Sequence, residues 1–213
     1  MKKILIIVLS ATLLFSCGGE NKEVAEVTLE ADTEELSNLE KEHTLEKTAY
    51  ADSVNAGLVE DTFKGSARRE ASGSFGDANV TINYGSPGKR GRVIWNGLVS
   101  YDQVWVSGSH WATAVTFSED VVINEVEVPA GMYGFFTIPG REEWTLIINK
   151  HYDQHLADEY DEADDLVRVS VKPIDLDNEV QRLTYEVEKV SDSEGAISLS
   201  WDQVKVSMPF SIK

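Results

Sequence analysis

The sequence predicts an all-β fold, an antiparallel β-sandwich that occupies residues 62–213 of the 213-residue chain. Short runs in this region alternate apolar with polar residues and are rich in Val, Ile, Thr and aromatic side chains. Turn residues separate the runs at regular intervals, and no long helical period is present. Many short strands of this kind are typical of a sandwich or a barrel.

The individual strands follow from the apolar runs and the turns between them. The run at 80–84 alternates apolar and polar residues, as a half-buried strand does. Pro129-Ala130-Gly131 and Pro139-Gly140 mark turns, because proline and glycine adopt the backbone angles that turns require. The pattern does not distinguish a jelly-roll-like from an immunoglobulin-like strand order. Strands are predicted at 80–84, 111–117, 121–128, 132–136, 144–148, 166–171, 183–190, 196–201 and 204–212.

Residues 1–16 have the features of a bacterial lipoprotein signal peptide. Lys2 and Lys3 precede an apolar run at 4–15, and the small Ser16 stands before Cys17, the only cysteine in the chain. The run is shorter than the roughly 20 residues that cross a bilayer. An ordinary secretory signal also fits the run, but it does not explain why the single cysteine lies at the processing point. We therefore predict cleavage before Cys17 and lipidation of its thiol, with palmitate among the acyl chains.

Acylated Cys17 gives the chain one expected partner, the lipid bilayer. Each buried methylene contributes about 0.8 kcal/mol, so two or three acyl chains anchor firmly where one anchors weakly. Gly18 follows the cysteine, whereas an aspartate there is the usual cue for retention in the inner membrane. These features predict a lipid-anchored protein of the outer membrane in the bacterial cell envelope, facing either the periplasm or the cell surface.

Residues 17–61 are predicted to form a flexible acidic tether. From Glu20 to Asp61, thirteen Asp and Glu residues stand against three lysines, and Tyr50 is the only aromatic residue. A segment this polar buries too little apolar surface to offset the entropy lost on ordering. The predicted organisation is a signal peptide at 1–16, a lipidated tether at 17–61 and a β-sandwich domain at 62–213.

The formal net charge of −18 restricts the partners of the chain. Nucleic-acid phosphates attract Lys and Arg, so a chain this acidic is not expected to bind nucleic acid. With Cys17 acylated, no cysteine pair is left for an intrachain disulfide. Stability is therefore expected to come from an apolar core.

Four motifs occur in order along the β-rich region: Ser86-Pro87-Gly88-Lys89-Arg90-Gly91-Arg92, Pro129-Ala130-Gly131-Met132-Tyr133, the run at 144–150, and Met208-Pro209-Phe210-Ser211-Ile212. Together they resemble the domain-of-unknown-function 2911 family. The resemblance extends over about residues 71–213. It implies an exported bacterial β-rich domain, often a lipoprotein, with no established activity.

One stretch departs from that family. Where the family usually reads Arg-Thr-Gly-Ala-Asn-Glu-Ala-Thr, residues 106–113 read Val-Ser-Gly-Ser-His-Trp-Ala-Thr. The arginine, asparagine and glutamate positions of the family are therefore Val106, His110 and Trp111 in this chain. A family site that used those polar residues is changed here.

The candidate ligand-binding residues combine aromatic and basic side chains. Aromatic faces hold sugars or apolar ligands, and arginines hold anions, so a pocket with both suits a glycan or another small molecule. The structural alternative places the tryptophans in the core and the arginines on a glycine-rich loop. The candidates are Arg90, Arg92, Trp95, Trp105, His110 and Trp111.

No catalytic residue, cofactor or metal site is predicted. The chain contains no G-x-S-x-G motif, and its one cysteine is the lipidation site. His151 and His155 have a spacing that binds zinc from one helical face, but no third ligand is specified. The acidic loop at 153–165 would attract calcium, although it lacks the glycine and the final glutamate of an EF-hand loop. A solvated surface loop is the simpler interpretation.

The sequence thus predicts a membrane-anchored envelope lipoprotein that acts as a ligand-binding or structural module. The alternative is an envelope hydrolase acting on glycan, through a pair of carboxylates or through His110. The first reading is favoured because the chain has no nucleophile motif, although the spatial separation of carboxylates is a property of the fold.

Overall fold

A computed structural model describes residues 46–213 of the chain. The predicted signal peptide, Cys17 and the tether as far as residue 45 lie outside the described residues. Residues 46–55 are helical, and a 3-10 turn spans Glu162–Asp164. Within 46–213, no helix is both long enough and apolar enough to cross a membrane. The strands are β1 (Ala67–Phe75), β2 (Ala78–Ser86), β3 (Thr113–Phe117), β4 (Val121–Ile123), β5 (Val126–Val128), β6 (Gly131–Ile138), β7 (Trp144–Asn149), β8 (Asp165–Val171), β9 (Ile174–Lys189) and β10 (Glu194–Ile212).

These strands form two sheets that share one apolar core. The six-stranded sheet has the order β1-β2-β3-β6-β7-β8, and the four-stranded sheet has the order β5-β4-β10-β9. Paired strands run antiparallel in both sheets. Ile82 and Leu146 from the first sheet and Leu199 and Met208 from the second lie buried in the same cluster. The predicted all-β sandwich is therefore confirmed.

Strand β9 begins nine residues before the strand predicted at 183–190, and two further regions of the sandwich differ from the predictions. The run at 121–128 is the β4–β5 hairpin rather than one strand. Asn124 and Glu125 reverse the chain with φ values of 48° and 68°, the left-handed pair of a tight hairpin turn. Strand β1 has no counterpart among the predictions, because Phe75 is its only large apolar residue and one of its buried positions holds Arg69.

Strand β10 reverses direction within its own span. Asp202 has a φ of 55°, and the hydroxyl oxygens of Ser198 and Ser207 lie 2.7 Å apart although nine positions separate them. Nine residues of extended strand would span about 30 Å, so the two halves of β10 lie side by side. The amide of Ile212 accordingly donates to the carbonyl of Ser193 at 2.8 Å. This reversal corresponds to the separate strands predicted at 196–201 and 204–212.

The folded part of the chain begins before residue 62. Residues 46–66, called the strap from here on, lead from the helix into β1. Ala51 and Val54 of the strap are buried, and Asp61 forms an ion pair of 2.7 Å with Arg182 of β9. Residues 46–61 belong to the predicted tether, because the segment is acidic. The structure instead packs these residues on the domain, where basic side chains from distant strands supply the counter-charge.

Candidate ligand-binding cleft

A cleft of about 500 Å³ lies beside the long connection between β2 and β3, residues 87–112. This connection supplies most of the lining, including the basic loop at 87–92 and the turn at 105–110. The strap contributes residues 64–66, and β10 contributes Trp201. Binding residues commonly lie on loops that a rigid scaffold holds in place, and the sandwich provides that scaffold here.

The structure brings four of the six candidate residues to the cleft. Arg90, Arg92, Trp105 and His110 all line it. Trp95 is half-buried and packs against the core behind the lining, with its ring centroid 6.0 Å from that of Trp105. The side chain of Trp111 is outside the lining and is 54% exposed. The structure therefore places the two arginines, Trp105 and His110 around one cleft, and it places Trp95 against the core, as the structural alternative describes.

Six lining residues come from other parts of the chain and were missing from the sequence-based candidates, among them Trp201, His155 and Lys64. Trp201 stacks on Trp105, with ring centroids 6.1 Å apart and an interplanar angle of 21°. His155 follows β7, and its ring centroid lies 5.7 Å from that of Trp111 in a T-shaped arrangement. Lys64 belongs to the strap. No local sequence signal links these positions, since their proximity depends on the strand order.

The two arginines reach the cleft with part of their hydrogen-bonding capacity unused. Arg92 donates from Nε to the carbonyl of Lys89 at 3.1 Å and from Nη2 to the carbonyl of Gly88 at 2.5 Å. Arg90 donates from Nη1 to the carbonyl of Lys64 at 3.3 Å. A guanidinium has five N–H donors, so each arginine retains donors for a ligand. Among residues 46–213, neither arginine forms an ion pair.

The nearby carboxylates are engaged by Lys89, which directly precedes Arg90 in sequence. Its Nζ is 2.6 Å from Glu179 Oε2 and 2.6 Å from Asp202 Oδ1. The hydrogen bond from Lys89 lowers the pKa of Glu179, so this carboxyl is charged at neutral pH. The ion pairs hold the basic loop against β9 and β10 while leaving the guanidinium groups of Arg90 and Arg92 for the cleft.

Left-handed backbone conformations surround the cleft. Arg90 has a φ of 52°, Ser107 of 56°, His110 of 64° and Leu156 of 53°, although none of them is glycine. Such conformations cost on the order of 1 kcal/mol or more and persist where the surrounding structure holds them, often at functional sites. Arg90 and His110 both belong to the connection that lines the cleft, and both contribute to its lining.

Two buried polar groups of the lining residues have no partner among the described residues. They are the Oγ of Ser109 and the Nε1 of Trp201, and the side chain of Trp201 is 1% exposed. A buried donor without an acceptor is unfavourable by about 1–3 kcal/mol. Unpartnered groups of this kind are found where water or a ligand is bound. The lining thus contains donors beyond the arginines.

The histidines and acidic residues singled out after β7 do not form a common site. Residues 151–160 are not helical, so His151 and His155 do not share a helical face. His151 Nε2 lies 3.2 Å from Asp164 Oδ2, whereas His155 lines the cleft. In the part of the chain that the structure describes, no three His, Cys, Asp or Glu side chains are grouped to hold a metal ion.

Fold and cleft together define the class of protein: an all-β sandwich whose longest described connection carries a basic and aromatic cleft. A family profile with the description "Protein of unknown function (DUF2911)" matches residues 66–210. The chain belongs to this family, in agreement with the resemblance of its motifs. No curated protein matches the chain, and no solved structure does. The matched region contains the whole cleft lining except Lys64 and Gly65.

Proposed function

We propose that this protein is a lipid-anchored binding module of the bacterial cell envelope whose cleft holds an anionic small molecule, with an acidic sugar as the first candidate. One observation carries the proposal: the lining contains Lys64, Arg90 and Arg92, and no Asp or Glu is among its described residues. The chain as a whole has a net charge of −18. A basic cleft in an acidic chain attracts anions locally while the rest of the surface repels them.

The aromatic residues of the cleft favour a ligand with a ring. Trp105 is half-buried, and it forms one face of the cleft with Trp201 stacked on it. The indole Nε1 of Trp105 is already bonded to the carbonyl of Gly108 at 3.2 Å, which fixes the ring. A fixed aromatic face beside two arginines suits a ring that bears a carboxylate. D-glucuronate has that chemistry, and D-glucose is the matched neutral sugar.

We expect D-glucuronate to bind the full chain more tightly than D-glucose does. Calorimetry measures both affinities. A hydrogen bond to a charged group is worth about 1.5–3 kcal/mol, so Arg90→Gln and Arg92→Gln should each weaken glucuronate binding by about 10- to 100-fold.

Arg141→Gln is the matched control for these variants. Arg141 is exposed, and its guanidinium packs on the Tyr101 ring at 5.1 Å, outside the cleft. The control should bind glucuronate as the wild type does. Equal affinity for glucose and glucuronate, or unchanged affinity in both arginine variants, would contradict the proposal.

The anchoring part of the proposal depends on Cys17. Radiolabelled palmitate should enter the wild-type protein and should be absent from Cys17→Ala, because the chain has no other cysteine. The variant should also move from the detergent-rich to the aqueous phase on phase separation, since it lacks the acyl chains. A wild-type protein that takes up no label would exclude lipidation. Fractionation of the labelled envelope then tests the outer-membrane location.

The glycan hydrolase predicted as an alternative needs two suitably spaced carboxyl groups. The described lining of the cleft offers arginine, lysine, histidine and aromatic side chains instead. No observation favours hydrolysis over binding, and the binding module is the function that we put forward.

A further inference from the structure

The strap forms one wall of the cleft, and it is also the part of the described chain that is nearest in sequence to the predicted lipid anchor. Lys64, Gly65 and Ser66 of the strap line the cleft. The carbonyl of Lys64 accepts a hydrogen bond from Arg90 Nη1 at 3.3 Å. Arg90 is thus held partly by the strap rather than by the sandwich alone.

Arg182 of β9 joins the strap to the other side of the cleft. Its side chain is 1% exposed, and its Nε and Nη2 donate to Asp61 Oδ1 at 3.1 and 2.7 Å. Nη2 also donates to the carbonyl of Phe63 at 2.5 Å, and Nη1 donates to the carbonyl of Gly65 at 3.3 Å. The same Nη1 donates to the carbonyl of Ser86 at 3.0 Å, directly before the basic loop. One guanidinium therefore connects both walls.

A second set of contacts holds the helical part of the strap. Asp52 pairs with Arg69 of β1 at 2.7 Å, and the Arg69 side chain is 3% exposed. The side-chain oxygen of Asn55 accepts from the amide of Arg182 at 2.7 Å, and its Nδ2 donates to the Arg182 carbonyl at 3.0 Å. Among the described residues, Asp52 and Asp61 are the only ion-pair partners of these two buried arginines. Undocking the strap would leave both guanidinium groups without a counter-charge.

The strap is otherwise weakly attached. Most of its residues from 56 to 65 are exposed, so few apolar contacts hold this part in place. Segments held mainly by polar contacts open locally at lower free energy than the core does. The strap and the basic loop also fit closely: a Cβ added to Gly88 would lie 2.3 Å from Asp61 Oδ2. Release of Asp61 from its contacts would therefore directly change the surroundings of the loop that carries Arg90 and Arg92.

We propose that strap docking and ligand binding stabilise each other, with Asp61 and Arg182 as the positioning residues that link them. This inference rests on the proposed function, since the cleft is the site that the strap completes. A ligand that binds only the complete cleft favours the docked strap, and by reciprocity a docked strap raises the affinity for the ligand. The segment that leads toward the membrane anchor thereby regulates the site.

Hydrogen exchange of the full chain tests the coupling. Adding D-glucuronate should slow exchange in the strap amides. Asp61→Asn should speed exchange there and weaken glucuronate binding by about tenfold, within the usual range of coupling energies. Glu60→Gln is the matched control, because it removes one neighbouring charge from an exposed side chain that forms no ion pair with the described residues. It should leave both quantities unchanged.

A second readout needs no bound ligand. In a Trp111→Phe background, which removes the exposed indole, Trp105 and Trp95 are the half-buried tryptophans, and acrylamide quenching reports access to them. Asp61→Asn should increase this quenching, and Asp52→Asn, which alters an exposed carboxylate, should do so more mildly. Asp52→Asn also replaces Asp61→Asn in all measurements if the latter does not fold.

The two measurements separate the two proposals. Faster strap exchange with unchanged quenching and unchanged glucuronate affinity would overturn the coupling, and so would a bound ligand that leaves strap exchange unaltered. A wild-type chain that binds no anion would overturn the proposed function. Increased quenching in Asp61→Asn would in that case still support the strap as a wall that limits solvent access to the cleft.

Discussion

Asp61→Ala is expected to lower the free energy of unfolding by about 3–5 kcal/mol, a large part of the stability of a domain. The substitution leaves the buried Arg182 guanidinium without its carboxylate, and Asp61 is itself only 7% exposed. The hydroxyl of Tyr50 also loses Asp61 as an acceptor at 3.1 Å. Denaturant unfolding of the full chain measures the loss.

Glu60→Ala provides the control for this prediction, because it is adjacent, acidic and exposed. We expect its free energy of unfolding to stay within about 0.5 kcal/mol of the wild type. Adding Arg182→Met to Asp61→Ala should recover part of the lost stability, since the uncompensated charge is removed. Equal stability of the Glu60 and Asp61 variants would show that the pair does not fasten the strap.

Trp144→Ala is expected to cost about 3–5 kcal/mol, as the removal of a large buried aromatic side chain does. The side chain of Trp144 is 1% exposed, and its ring centroid lies 4.8 Å from that of Trp95. Trp95 in turn contacts Trp105 and Trp201, so Trp144 supports the cleft from inside the core.

The same substitution at an exposed tryptophan gives the control. Trp111 is 54% exposed, and Trp111→Ala should change the free energy of unfolding by less than about 1 kcal/mol. Circular dichroism during denaturant unfolding compares the two variants. A similar loss in both would mean that burial does not distinguish these tryptophans, contrary to the structure.

The cleft could be found in part from the sequence because several of its residues belong to one connection. Arg90, Arg92, Trp105 and His110 lie within residues 87–112, so a single long loop brings them near each other. Trp95 belongs to the same connection, yet it is half-buried against Trp144 and Trp201. Sequence proximity thus identifies the loop, but it does not tell which side of the loop a given side chain occupies.

The strap could not be found from composition. Its acidic residues favour solvent when the segment is considered alone. Asp52 and Asp61 nevertheless pair with Arg69 and Arg182, which lie on β1 and β9 and are both buried. The burial of these two arginines could not be predicted either. Charged residues are rarely buried without a partner, and each partner lies far away in sequence.

By itself the sequence determined the fold class, the family and most of the strands, because alternating apolar runs and turn residues act over a few neighbours. It also predicts the lipid anchor at Cys17, again from adjacent residues. Only the tertiary structure decided that Trp201 stacks on Trp105 and that the strap closes the cleft through Arg182. Those contacts join positions far apart along the chain, and their formation depends on strand order and on the pairing of buried charges, neither of which a local pattern encodes.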